Sequence, residues 1–210
     1  YLAPGDYAFA GESTISLIPV TQNAWFTISA AAGLTPNEVR VTVGGNSERL
    51  NLSRIHLRDL TLATGLVTSL DLNQPAAAWL DHCVLTSYAR LTNTVFVGTN
   101  SWTGGVFLTH DHIRDTLNGP SGTTIVQNTR ADGIGSDPYQ NVGMLLNCSV
   151  FDIDSQASGA HADVVQWYPA ASQISNRIVY GLNAIDCKSQ GVFMAGETGS
   201  SAADVALVNA

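Results

Sequence analysis

Charged side chains are scarce in this chain of 210 residues, and basic ones are the scarcest. Asp, Glu, Lys and Arg make up 12% of the sequence, with nine Lys and Arg against 17 Asp and Glu, for a net charge of −8. Proteins that bind nucleic acid do so through basic patches that contact the phosphates. The composition therefore predicts no nucleic-acid partner, and it permits a bound cation or a neutral sugar.

Long apolar runs are also missing, and cysteines are few. No run reaches the roughly 20 apolar residues that a membrane-spanning helix needs, so we expect no membrane span. Three cysteines cannot all pair within the chain, which excludes a disulfide-stabilised scaffold. Apolar residues nevertheless make up 45% of the sequence, which argues against disorder, and the length suits a single domain over residues 1–210.

A polar residue recurs along the chain with similar neighbours each time. A branched aliphatic residue stands two positions before it in six of seven cases, and an apolar residue stands three positions after the first five. The recurring residues are Asp59, His82, His110, Asn128, Asn147, Asn183 and Asn209. These offsets do not describe one face of a helix, but they fit a short strand, a polar corner and a second short strand.

The variable spacing of this repeat is typical of solenoid coils whose loops differ in length. An antiparallel sandwich also has many short strands, but it has no reason to repeat one polar corner. We therefore predict an all-β parallel β-helix with polar side chains stacked from coil to coil. Cys83 and Cys148 would lie about 14 Å apart in it, too far for a disulfide, so we predict buried free thiols.

Several segments resemble a known group of proteins. "AWLDHCVL" (78–85) resembles the Trp-x-Asp-His-Cys strand of pectate lyases. "YLAPGDY" (1–7) followed by "WFTISAAAG" (25–33) resembles the opening coils of pectin-lyase-like β-helix proteins. "HADVVQW" (161–167) resembles a segment of bacterial right-handed β-helix repeat proteins.

The resemblance implies a right-handed parallel β-helix, secreted or at the cell surface, that acts on acidic or neutral polysaccharide. The Arg-x-Pro-x-x-Arg segment of the pectate lyases and the paired aspartates of the polygalacturonases are both missing from the sequence. The resemblance therefore implies the fold and leaves the reaction open.

Acidic residues recur four or five positions after the polar corner. Asp115, Asp132 and Asp152 would form a row on adjacent coils about 5 Å apart, with Asp154 and Lys188 close by. Like charges at that distance repel each other, and Ca²⁺, which binds several carboxylate oxygens, would relieve the repulsion. The four aspartates are therefore a predicted Ca²⁺ site, and the alternative is that they are solvated turn residues.

Lys188, the only lysine in the chain, is a candidate catalytic base. In β-elimination on a uronate, a base removes the proton next to a carboxylate while a cation stabilises the resulting charge. A bound metal ion would lower the lysine pKa enough for that role. Arg130 and Arg114 would hold the substrate carboxylate in a bidentate clamp.

Two histidine segments are further candidates. His110 and His112 would share a strand face and could ligate a metal ion or act as acid and base, although the corner position of His110 favours a structural role.

The second histidine segment is residues 158–169. It lies in the longest predicted coil, where loops can project. His161 would act as general acid or base with Asp163 orienting it, and Trp167, Tyr168 and Trp102 would stack on sugar rings. The alternative is that Asp163 caps a turn and Trp167 belongs to the core.

Three classes of function stay open. A polysaccharide lyase is favoured. A glycoside hydrolase would need a pair of carboxylates on either side of the bond, which Asp132, Asp152, Asp154 and Asp163 could supply. A non-catalytic structural or adhesive surface module suits the sparse charge and the abundant Ser, Thr and Asn.

The two ends of the sequence suggest a processed chain or a piece of a longer one. Residue 1 is Tyr1 rather than Met, with no basic-then-apolar leader. The last residues stop on the repeat itself, which would leave open strand edges. We expect that the natural chain continues past Ala210 or that a partner covers this end.

Overall fold

A computed structural model describes residues 1–10, 15–16, 25–44, 50–51, 54–64, 78–87, 106–153, 162–167, 173–194 and 201–209. Over these residues the protein is almost wholly β-sheet, with one short 3-10 helix at Pro36–Glu38 and no α-helix. The all-β prediction is confirmed at this level. No helix in the described part of the chain is long and apolar enough to cross a membrane.

Most strands belong to two eight-stranded sheets, named sheet I and sheet II. Across sheet I the strands are β1 (Gly5–Ala10), β4 (Val39–Gly44), β7 (Thr61–Thr64), β9 (Val84–Ser87), β11 (His112–Arg114), β13 (Arg130–Ile134), β16 (Ser149–Ile153) and β19 (Asn183–Ile185). Across sheet II they are β3 (Phe26–Ser29), β6 (Ile55–Arg58), β8 (Ala78–Asp81), β10 (Val106–Thr109), β12 (Ile125–Gln127), β15 (Met144–Leu146), β18 (Gln173–Tyr180) and β21 (Ser201–Val208).

Two smaller sheets complete the described structure. Sheet III contains β14 (Tyr139–Gln140), β17 (Val165–Trp167) and β20 (Val192–Met194). A two-stranded sheet pairs β2 (Ile15–Ser16) with β5 (Leu50–Asn51). Every pairing between these strands is parallel.

The chain alternates between sheet I and sheet II, and each time it returns to a sheet it adds a strand beside the previous one. Equivalent positions of the repeat therefore become neighbours, and the inward positions form two apolar columns. In sheet II the buried column is Leu57, Leu80, Leu108, Val126, Leu145 and Val179. In sheet I it is Val41, Leu62, Leu85, Ile113, Ala131 and Val150. Alternation along each strand points the residues between them outward.

A left-handed turn follows each sheet II strand from β6 onward, and these turns form the first turn column. Its members are Asp59, His82, His110, Asn128, Asn147, Gly181 and Asn209, with φ between 50° and 65°. Asn and Asp tolerate this region better than most residues, and Gly enters it freely. Each backbone amide in the column donates to the carbonyl that precedes the next turn, for example Asn128 N–H to Leu146 O at 2.9 Å. Asn128 and Asn147 are therefore neighbours, as the repeat predicts.

One member of the predicted repeat is wrong by two residues. Gly181, not Asn183, occupies the turn, because Tyr180 pairs with Leu146 and Asn183 pairs with Ser149. A Cβ at Gly181 would lie 2.6 Å from Asn147 Oδ1, so any other residue there would have to displace that side chain. The pattern had matched polar side chains, whereas the backbone requires a residue that accepts positive φ.

Candidate functional site

The outward face of sheet I holds a block of ionisable side chains on adjacent strands. His112 and Arg114 of β11 lie directly beside Arg130 and Asp132 of β13. Inward-facing Ile113 and Ala131 between them are fully buried, so alternation directs these four side chains outward. The sheet register thus brings together Arg114, Arg130 and Asp132, three of the residues predicted from the sequence, and adds His112.

The two arginines are held in different ways. Arg130 Nη2 donates to Asp132 Oδ2 at 2.6 Å, and its guanidinium lies 4.3 Å from the ring centroid of Phe151 on β16. Arg114 Nη2 donates to Asn37 Oδ1 at 3.3 Å, and its Nε is buried without a hydrogen-bond partner. Arg130 is 51% exposed. The guanidinium groups therefore reach solvent on one face of the sheet, where they could bind a carboxylate.

His112 is a partly buried imidazole inside this block. Its Nε2 lies 3.9 Å from Asp132 Oδ2 and has no hydrogen-bond partner. Burial, followed by the positive charges of Arg114 and Arg130, lowers the pKa of His112. Because the ordinary histidine pKa is about 6.5, the ring carries no charge at pH 7 and can accept a proton.

The predicted acidic row has a different membership. Asp115, Gly133, Asp152 and Asp186 form a second turn column at the ends of the sheet I strands, with φ between 52° and 63°. Asp115 and Asp186 follow β11 and β19 directly, whereas Gly133 and Asp152 are the last residue but one of β13 and β16. Gly133 separates Asp115 from Asp152, while Asp132 points out from the strand and pairs with Arg130. The described carboxylates of this row do not form a convergent group of metal ligands, and Asp154 lies outside the described residues, so the Ca²⁺ site stays a prediction.

Lys188 does not complete the row. Asp186 is the turn residue beside Asp152, and Lys188 follows two residues later, with its amide donating to Ile153 O at 3.3 Å. Lys188 lines an open depression with Val164, Asp186 and Cys187. Lys188 follows β19, which is separated from β13 by β16, whereas His112 lies directly beside Arg130, so His112 is the better placed candidate base.

Asp163 belongs to a buried ladder rather than to a solvent-facing site. Its amide donates to Asp137 Oδ1 at 2.8 Å, and its Oδ2 accepts from Gln166 Nε2 at 3.0 Å. Asp137 repeats the arrangement one strand earlier, with Gln140 Nε2 on its Oδ2 at 2.8 Å. Asp163 is fully buried. Two Asp-x-x-Gln segments, "DPYQ" and "DVVQ", are the sequence signal of this ladder.

Trp167 is a core residue and leaves no ring face for a sugar. It is 1% exposed, and its indole Nε1 donates to Val142 O at 2.9 Å. The alternative given for Asp163 and Trp167 in the sequence analysis describes their surroundings better than the catalytic one. The predictions for His161, Tyr168, Trp102 and Asp154 fall outside the described residues.

A second constellation lies where sheet II meets the first turn column, and the sequence analysis missed it. Asp81 Oδ1 is 3.0 Å from His82 Nδ1 and 3.2 Å from His110 Nδ1. The two imidazoles stack, with centroids 4.7 Å apart. Among the described residues, these three are the one group of His, Cys, Asp or Glu whose ligand atoms lie within 4.8 Å of one another.

Asp81 keeps its negative charge because donors surround it. Burial acts to raise the pKa of Asp81, but hydrogen bonds from Thr109, His110 and His82 lower it to below its ordinary value. Thr109 Oγ1 donates at 2.8 Å and itself accepts from Trp79 Nε1 at 2.7 Å. The carboxylate is therefore fixed in position by a chain of hydrogen bonds.

The predicted pairing of His110 with His112 is not what the register produces. His110 turns toward Asp81 of sheet II, whereas His112 faces Asp132 on sheet I. The signal that could have found the real partner is the recurrence of histidine at the same corner in "DHC" (81–83) and "HDH" (110–112).

Comparisons with protein-family models, curated proteins and solved structures find no match for this chain.

Proposed function

We propose that the chain is a right-handed parallel β-helix of the pectin-lyase-like kind. Support comes from the regular alternation of strands between two parallel sheets and from the two turn columns in register. Parallel strands joined by crossovers are almost always connected in the right-handed sense. Such a fold offers long outward sheet faces on which side chains from many strands line up.

We further propose that the protein cleaves an acidic polysaccharide by β-elimination on the outward face of sheet I. The observation on which this depends is the partly buried imidazole of His112, whose pKa is lowered, beside the guanidinium groups of Arg114 and Arg130. The overall charge of −8 disfavours a polyanion elsewhere on the surface, so these arginines define where one would bind.

Each residue has a defined role in this reaction. Arg130 exchanges Asp132 for the uronate carboxylate, and Arg114 neutralises the charge that develops beside it. His112 takes the proton next to the carboxylate, and the electron pair forms a carbon–carbon double bond. The neighbouring carbon–oxygen bond breaks, and the departing oxygen takes a proton from water. The guanidinium groups supply the positive charge that Ca²⁺ would otherwise supply.

The test is incubation with uronate polymers while the absorbance of the unsaturated product is recorded. We expect His112→Asn and Arg130→Gln to lower kcat/KM by about 100-fold or more, the lower range for a proton-transfer or charge-stabilising group. Arg58→Gln is the matched control, because Arg58 is 50% exposed, against 51% for Arg130, and lies on sheet II. A chelator should leave the rate unchanged.

Two outcomes would overturn the lyase proposal. One is the absence of unsaturated product from every uronate polymer tested. The other is activity in which Arg130→Gln behaves like Arg58→Gln. Access to such polymers requires a protein outside the cell or on its surface, which is where we expect this one.

A second candidate function is binding of neutral polysaccharide without chemistry. His56, Trp79 and Phe107 are neighbours on the outward face of sheet II, and Trp79 is 38% exposed. The His56 and Trp79 rings stack at 4.3 Å, which holds the indole flat against its neighbour. An exposed indole is a common platform for an apolar sugar face. Retarded migration in gels containing neutral glucans, lost in Trp79→Ala and kept in Arg130→Gln, would favour this function.

A further inference from the structure

We propose that Asp81, His82 and His110 form a binding site for a divalent transition-metal ion of the Zn²⁺ type. The site lies on sheet II and its turns, away from the sheet I face, so it does not rest on the proposed function. Zn²⁺ accepts imidazole nitrogen and carboxylate oxygen ligands, and these three side chains supply two of the first and one of the second.

The spacing of the ligand atoms fits a tetrahedral ion. Ligands at about 2.1 Å from a tetrahedral Zn²⁺ lie about 3.4 Å from one another. Asp81 Oδ1 is 3.0 Å from His82 Nδ1 and 3.2 Å from His110 Nδ1, close to that edge length. All three ligand atoms lie within 4.8 Å of one another, so rotation of the half-exposed imidazoles would admit the ion in place of the two Nδ1 protons. Both imidazoles are about half exposed, which leaves a fourth position for water.

The backbone holds both histidines in place before any ion binds. His82 and His110 have φ of 55° and 60° and occupy consecutive positions of the first turn column. The amide of His82 donates to Thr109 O at 3.0 Å, immediately before His110 in the chain. Because the strands on both sides of the turns pair in register, the two rings stack rather than diverge.

The surrounding side chains suit a metal-bound imidazole. Asn128, with its Nδ2 3.1 Å from His110 Nε2, is the next residue in the same column. With the metal on Nδ1, Nε2 carries the proton, and a rotated Asn128 amide offers its oxygen to that N–H. Thr109 and Trp79 orient the Asp81 carboxylate from the other side. These are the outer contacts that tune ligands in known metal sites.

One buried group near the cluster also points to a ligand. His56 Nε2 is buried without a hydrogen-bond partner and lies 4.0 Å from Asp81 Oδ2. A water on the ion could bridge to it. Two imidazoles suit Zn²⁺, Cu²⁺ or Ni²⁺, whereas Ca²⁺ prefers oxygen ligands alone.

The experiment is calorimetric titration of the chelator-treated protein with Zn²⁺, with Ca²⁺ as the negative control. We expect one Zn²⁺ per chain and binding at least about 10-fold weaker in His82→Asn and in His110→Asn. Asn is the appropriate replacement, because Asn128 and Asn147 already occupy this column with φ of 51° and 50°. His112→Asn, on sheet I, should bind like the unaltered protein.

A second readout separates loss of a ligand from loss of the fold. Zn²⁺ should raise the Tm of the unaltered protein and of His112→Asn, and it should leave the Tm of Asp81→Asn unchanged. Co²⁺ should give the intense visible absorption of a tetrahedral site in the unaltered protein and in His112→Asn, but not in Asp81→Asn. The proposal is overturned by stoichiometric Zn²⁺ binding that survives both corner substitutions, or by no Zn²⁺ binding in the unaltered protein.

Discussion

Asp81 and Asp111 lie on opposite sides of the same backbone layer, and their environments shift their pKa values in opposite directions. Asp81 points outward and accepts from Thr109, His82 and His110. Asp111 points inward, with Oδ1 accepting from Cys83 N–H at 2.7 Å and Oδ2 buried without a partner. Burial raises the pKa of Asp111 well above its ordinary value, and its backbone donors, Cys83 and Thr109, offset only part of this. Burial and the number of donors together decide which carboxylate stays charged.

The two described tryptophans with indole hydrogen bonds repeat this contrast between inside and outside. Trp167 is 1% exposed and Trp79 is 38% exposed, and each donates one hydrogen bond. The polar contact is alike in both, so the amount of apolar surface removed from water is what separates them.

The largest difference between inside and outside should appear when each indole is removed. Trp167→Ala should lower the free energy of unfolding by about 3–5 kcal/mol, because it leaves a cavity in the core. Trp79→Ala should cost about 1 kcal/mol, because its ring is already partly in water. Urea unfolding of both variants measures the free energy of unfolding. Equal decreases in Trp167→Ala and Trp79→Ala would contradict the difference in burial between the two positions.

The next largest expected effect is a pH dependence of stability caused by the buried carboxylate of Asp111. The folded pKa of Asp111 is raised, so its contribution to stability is complete below the unfolded pKa of about 3.9 and is lost as pH rises through the folded pKa. Over that window stability should fall by up to about 1.4 kcal/mol per pH unit. Asp111→Asn keeps the acceptor for Cys83 and should remove this slope. Unfolding curves taken with a chelator present, from about pH 4 to about pH 8, give the answer.

Asp81 is the control for Asp111, because its folded pKa is shifted in the opposite direction. Its folded pKa is lowered, so its contribution is present above the unfolded pKa and is lost only as pH falls through the folded value. Asp81→Asn should therefore be less stable than the unaltered protein at neutral pH and should keep the Asp111 slope. A slope that persists in Asp111→Asn but vanishes in Asp81→Asn would reverse the assignment.

The smallest effect on stability should come from the cysteines. Cys83 and Cys148 are buried and free, as predicted, and Cys187 is partly exposed. Burial raises the pKa of Cys148 to about 11 and that of Cys83 well above its ordinary value, so neither should react in the native state. We expect a thiol reagent to modify Cys187 first, with a change in stability within about 0.5 kcal/mol. Peptide mapping locates the label, and Cys187→Ser should abolish the fast phase.

Much of the strand pattern was readable from the sequence. The apolar positions two before and three after the polar corners predicted most of both buried columns, from Leu57 to Leu145 in sheet II and from Leu62 to Val150 in sheet I. Leu207, at another such position, is 46% exposed. The corner also predicted that Asn128 and Asn147 are neighbours. The pattern failed at Gly181, because it matched polar side chains instead of tolerance for positive φ. The segment 158–169 offered Asp163 either as the partner that orients His161 or as a structural residue, because a buried ladder and a catalytic pair use the same residue types. The structure places Asp163 in the buried ladder.

The candidate sites were less predictable than the strands. Arg114 and Arg130 were identified as partners, but the neutral state of His112 depends on burial and on both guanidinium groups. The Asp81, His82 and His110 cluster joins residues from two different returns of the chain, and sequence proximity suggested His112 instead.

The sequence by itself determined which residues face inward and where the chain turns, since alternation along a strand and tolerance of positive φ are local properties. Tertiary structure alone decided which side chains meet across strands. That outcome depends on register, and a shift of one residue exchanges the inward and outward faces. The same register sets how many donors reach each carboxylate and therefore which of them carries charge.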